Sequence, residues 1–140
     1  MFFLQLLVYT NSSRALGMIH RTTSLKTPSV LLRLYKSLVR PHLEYCISAW
    51  SPYYVKERAL LERVQHRFTR MVPAMKDLPY EDRLAQLGLW TLEERRHRAD
   101  LLKVFRMYKN YELTPFSQFF TLSLVNNTRG HSAKIQKNHC

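Results

Sequence analysis

Acidic residues are scarce in this 140-residue chain: ten Asp and Glu stand against 22 Lys and Arg. The aspartates are only Asp77, Asp82 and Asp100, and no two adjoin. Metal-assisted nucleotidyl transfer needs carboxylates converging on the ions, so that chemistry is not expected within the chain. Tyr80-Glu81-Asp82-Arg83 comes nearest to an acidic motif, but it follows Pro79 and opens an amphipathic run, where first-turn acids stabilise the helix dipole. Glycine is almost missing, at three residues, which argues against a β-rich chain and excludes a phosphate-cradling glycine loop. Two cysteines, Cys46 and Cys140, make no disulfide framework, and with His131 and His139 they lack the spacing of a zinc site. No G-x-S-x-G signal presents a nucleophile on a sharp turn. The apolar opening Met1 to Tyr9 has neither a cationic start nor a small-residue cleavage site, and it is too short to span a bilayer. An intracellular, reducing setting is therefore expected, with no cofactor, no metal, no small-molecule substrate and no membrane partner.

What is present is a helical pattern. Hydrophobic residues make up 46% of the chain, enough for a modest core, and six prolines cut it into segments of helical length. Asn11 or Ser12 is placed to cap a short helix ending at His20. Thr27-Pro28 reads as a cap followed by proline at the first helical position, where a missing N–H costs nothing. Leu31, Leu34 and Leu38 then share one face, and Leu43, Cys46, Ile47 and Trp50 follow at i, i+3, i+4 and i+7. Pro41 interrupts this run; it removes a backbone hydrogen bond and disfavours the α region at Arg40, so a kink or break is expected there. A further helix over 55–72 carries the stripe Leu60, Leu61, Val64, Phe68, Met71 and Val72, with Arg58, Glu62, Arg63, His66, Arg67 and Arg70 on its other faces.

Two boundaries are sharper. A short helix from Tyr80 stops at Gly88, the residue suited to the left-handed position after a helix end. Thr91-Leu-Glu-Glu94 matches a capping box and starts a helix running to about Lys109, expected to bury Leu92, Ala99, Leu102, Phe105 and Tyr108. Beyond Tyr111 no helical period persists. Residues 116–125 read as a short strand or extended segment, Asn126 to Gly130 as a turn, and 131–140 as mobile. The fold class expected is mainly α: one small domain of about four to five helices with an irregular or short-strand C-terminal tail. Its divisions are a divergent apolar segment 1–10, a helical domain 11–110 and an extended or partly disordered tail 111–140.

The net charge of +12 is large for this size, and its common physical causes are phosphate backbones or anionic surfaces as partners. It is spread through the helices: six cations face one anion in 1–54, thirteen face eight in 55–110, and three face one in 111–140. Arg63, Arg67 and Arg70 fall at i, i+4 and i+7, so three guanidiniums point the same way and repel unless something compensates. A phosphate backbone would compensate them, as Glu62 or a distant acid could; for the charge excess as a whole, solvated helix faces are the plainer reading. Tyr35, Tyr45, Trp50, Tyr53 and Tyr54 interleave with the cations as in surfaces that track a backbone and stack on bases, although the stripe position of Trp50 assigns it to the core.

Three stretches together carry a resemblance: Leu34-Tyr-Lys-Ser-Leu-Val-Arg-Pro-His-Leu-Glu-Tyr-Cys-Ile-Ser-Ala-Trp-Ser-Pro-Tyr53, Leu60-Leu-Glu-Arg-Val-Gln-His-Arg-Phe-Thr-Arg70 and Leu84-Ala-Gln-Leu-Gly-Leu-Trp-Thr-Leu-Glu-Glu-Arg-Arg96. With the lead-in Arg14 to Arg21 and the late Thr128-Arg-Gly-His-Ser132, they resemble the region after the palm in reverse transcriptases of non-LTR retrotransposons, of the Jockey and chicken-repeat kind. The pattern covers roughly residues 11–140 and fails over the apolar start. The resemblance implies a truncated thumb and post-thumb segment of an RNA-directed DNA polymerase, without the catalytic palm. It implies a primer–template duplex and the missing palm as partners, and it makes Lys36, Arg40, Arg63 and Arg67 candidates for duplex contact. Arg70, on the same helix as Arg63 and Arg67, and Arg95 and Arg98, on the helix that starts at Thr91, join them as candidates. The expected function is sequence-independent nucleic-acid binding without catalysis. The alternatives are a helical protein-interaction module, or a relic reading frame with no selected function.

Overall fold

The computed structural model describes residues 2–45, 52, 54–123 and 134–138. The second stripe of Cys46, Ile47 and Trp50, with Tyr53, the turn at 126–130, His131, His139 and Cys140, lies outside the described residues. The molecule is mainly helical with a short two-stranded sheet near its C-terminus, and it divides into compact units 1–97 and 98–140.

In the first unit α1 spans Phe2–Thr22. It corrects the expected start at Asn11 or Ser12: the helix runs unbroken through the apolar opening. Ser12 is fully buried and donates its hydroxyl to the Val8 carbonyl, 2.7 Å away, as interior serines of helices do. Gln5, Ser12, Leu16 and Ile19 form the buried face, and Gln5 donates to the Glu57 carboxylate at 2.9 Å.

α2 spans Pro28–Leu34 and starts where the sequence places it, although the Thr27 hydroxyl caps no backbone N–H. Pro41 does not break the chain. A π turn over Tyr35–Val39 leads into α3, Arg40–Glu44, and Arg40 sits in the helical region (φ −59°, ψ −37°) with its N–H on the Tyr35 carbonyl. The wide turn accommodates the proline ring and its missing donor. It also changes the buried face. Leu31, Tyr35, Val39 and Leu43 are the core residues, while Leu34 is half-buried and Leu38 is exposed.

α4, Val55–Met71, supplies the centre of the unit: Leu61, Val64 and Phe68 are buried with Val72, and the Phe68 ring stacks on Tyr35 at 4.1 Å between centroids. A 3₁₀ turn, Pro73–Met75, leads to α5, Tyr80–Leu87. Gly88 follows in the left-handed region (φ 60°), and Gly88 and Leu89 donate to the carbonyls of Ala85 and Leu84, a Schellman closure. α6, Leu92–Tyr108, opens on the capping box: the Thr91 N–H donates to Glu94 at 3.0 Å and the Glu94 N–H to the Thr91 hydroxyl at 3.2 Å. Leu92 is buried, but Ala99, Leu102 and Phe105 are exposed, against the expected burial, and Tyr108 is 37% exposed.

In the second unit β1, Phe120–Leu122, pairs antiparallel with β2, Ile135–Lys137, in the register Phe120–Lys137, Thr121–Gln136 and Leu122–Ile135. The stretch expected to be mobile thus contributes a strand. Asn138 closes it by donating its backbone N–H to Phe119 and its side chain to the Ser117 carbonyl. The rings of Tyr108, Phe116 and Phe120 form a chain with centroids 5.6 and 5.4 Å apart. No helix among the described residues is long and apolar enough to cross a membrane.

Candidate nucleic-acid interface

A polar network inside the first unit sets the rotation of α4. Gln65 is fully buried; its Oε1 accepts from the Tyr35 hydroxyl at 2.7 Å and its Nε2 donates to the Trp90 carbonyl at 2.9 Å. Glu62, one turn earlier, accepts from the Tyr80 hydroxyl and, at 3.0 Å, from the Leu92 N–H. Burial raises the Glu62 carboxyl above its ordinary range, and the bonds from Tyr80 and Leu92 oppose that shift. The Tyr35 hydroxyl is likewise raised, first by burial and then by Glu62 and Glu44. His66 stacks on Tyr80 and is held below the usual imidazole range by desolvation and then by the guanidiniums of Arg83 and Arg70. Arg83 is buried; it donates to the Thr69 hydroxyl at 2.9 Å and lies over the Tyr80 ring. With Glu62, Gln65 and Thr69 committed inward, the remaining face of α4 points to solvent.

That face carries Arg63, Arg67 and Arg70, all exposed, and none is joined to a carboxylate among the described residues. Lys36 is also exposed. Arg40 and Arg95 are brought together differently, around one acid. Arg95 grips both Glu44 oxygens, with its Nη2 at 3.1 Å from Oε2, while the Arg40 Nε lies 3.7 Å from Oε1. The hydrogen bond to Glu44 raises the Arg95 guanidinium above its ordinary value. This pair ties α6 to α3, as the Arg58–Glu93 ion pair ties α6 to α4. Arg98 belongs to the second unit and is not without a partner. Among the aromatics read as a stacking surface, Tyr35 is core and carries no such role, whereas Tyr45 and Tyr54 are exposed.

Arg67 and Arg70 also line a cleft of about 700 Å³ where the last turns of α1 and α4 meet the α1–α2 connection. His20, Arg21, Lys26 and Lys76 complete its cationic lining, and Leu16, Met71 and Pro73 give it an apolar floor. No Asp or Glu is among the lining residues. The four additional basic residues escaped sequence reasoning because they come from three separate segments. The signal available was His20 and Arg21 in the last turn of α1, where basic side chains complement the dipole; Lys26 and Lys76 carry no such local signal. No group of three or more His, Cys, Asp or Glu side chains is assembled for a metal among the described residues. Comparison with family models, with curated proteins and with solved structures gives no match.

Proposed function

We propose that the chain is a non-catalytic nucleic-acid-binding module descended from the thumb of a non-LTR reverse transcriptase, holding the phosphate backbone of a duplex without regard to sequence. The observation that carries this reading is the contrast among its arginines. Arg58 and Arg95 are spent on carboxylates, and Arg40 approaches one, but Arg63, Arg67 and Arg70 stand exposed in a row with no ion pair to an acid among the described residues to offset their mutual repulsion. Cations left in this way release counterions when phosphates bind, which is a favourable term at low salt. The test is duplex binding as a function of salt. Arg63→Ala and Arg67→Ala are each expected to lower the slope of log K against log salt by about one unit, while Arg95→Ala leaves the slope unchanged. An Arg95→Ala effect equal to that of Arg63→Ala would overturn the assignment.

A further inference from the structure

The cleft at the ends of α1 and α4 gathers more positive charge than its helix ends require. His20, Arg21 and Arg70 stand in the last turns of α1 and α4, where they complement the dipoles. Lys26, Arg67 and Lys76 have no such role, yet they line the same recess. None of the six is joined to a carboxylate among the described residues, and no Asp or Glu is among the lining residues. Five Lys and Arg side chains thus repel one another around a concave wall, where the fields of like charges add and focus. The floor of Leu16, Met71 and Pro73 lowers the local dielectric and strengthens any ion pair formed above it. Gly17 leaves room for one of these cations: a Cβ there would lie 3.4 Å from the Arg21 guanidinium.

The ligand that fits these features carries several anionic groups on a small scaffold. A recess of about 700 Å³ has the size of a small-molecule site. A single phosphate bears about two negative charges and meets only part of the cationic lining. No Phe, Tyr or Trp is among the lining residues, so a nucleobase is offered no stacking partner, and a nucleotide gains nothing there from its base.

We infer that the cleft is a binding site for a compact polyphosphorylated small molecule without a nucleobase. It is a second site with a ligand of its own, since Arg63 of the open row lies outside the lining, and it does not depend on the duplex reading. Inorganic tripolyphosphate and inositol hexakisphosphate, with inorganic phosphate for comparison, are titrated calorimetrically into the full chain at moderate salt. At least one polyphosphate is expected to bind roughly tenfold or more tighter than inorganic phosphate, and the tighter of the two tells a chain scaffold from a ring. Arg67→Ala with Lys76→Ala, both at exposed positions, is expected to weaken that binding roughly tenfold. Lys26→Gln, which leaves α4 untouched, is expected to weaken it about threefold. Lys56→Ala with Arg106→Ala removes the same charge as the first pair from exposed positions outside the lining, and is expected to change the affinity less than about twofold. Polyphosphates that bind the wild-type chain no tighter than inorganic phosphate would overturn the site. Equal weakening by the two charge-matched pairs would overturn it as well, because it would show attraction to net charge alone. Neither result touches the duplex assignment, which the salt slope tests separately.

Discussion

Gln65 shows how one side chain fixes what a whole face presents. Its amide needs an acceptor and a donor at once inside an apolar core, and Tyr35 and the Trp90 carbonyl meet those needs from two different segments. A buried amide so placed tolerates little rotation of α4, and this holds Arg63, Arg67 and Arg70 outward. Gln65→Ala deprives the Tyr35 hydroxyl of its acceptor and leaves a cavity, so it is expected to lower stability by roughly 2–4 kcal/mol, read by chemical denaturation. Neither Gln65 nor Thr69 was legible as core in the sequence. Both are polar, and only the arrival of Tyr35, Trp90 and Arg83 from elsewhere in the chain makes their burial tolerable. The apolar stripe Leu61, Val64 and Phe68 needed no such partner and was legible at once.

Where local chemistry suffices to end or start an element, the sequence shows it. Gly88 terminates α5 in the left-handed region and Thr91 with Glu94 opens α6, because each device needs only residues adjacent in the chain. Gly88→Ala is expected to cost about 1–2 kcal/mol in thermal or denaturant unfolding. That cost is purely one of backbone conformation, since a Cβ at Gly88 would meet nothing within 4 Å. Gly88→Asn should recover part of it, as asparagine tolerates this region better. The π turn before Pro41 was not legible. A strict four-residue spacing drifts by about 40° per step around an α-helix, so Leu31, Tyr35, Val39 and Leu43 do not read as one face. The wide turn unwinds that drift and puts Tyr35 and Val39 in the core in place of Leu34 and Leu38. The early start of α1 was missed for a related reason: Phe3, Leu4, Leu6 and Leu7 remain exposed, so the opening shows no apolar stripe despite being helical.

At the scale of the molecule the main feature is where its positive charge lies. An excess of 22 Lys and Arg over ten Asp and Glu would be unremarkable if every acid shielded its neighbours evenly, but four of the acids sit at joints between elements. Glu44, Glu62 and Glu93 bind elements together, and Glu57 receives Gln5 from α1. The α4 face and the cleft beside it are left with cations and no acid among the residues that line them. The charge excess was legible from composition, and so was the row on α4. Its gathering into a cleft was not, since that depends on α1 ending beside the end of α4. The second unit, by contrast, presents Leu101, Leu102 and Phe105 to solvent. The measurement that bears most directly on the central claim is the affinity of the full chain for two unrelated duplex sequences from low to moderate salt. The account expects equal affinities and a steep linear fall of log K with log salt. Salt-independent binding, or no binding at low salt, would contradict it.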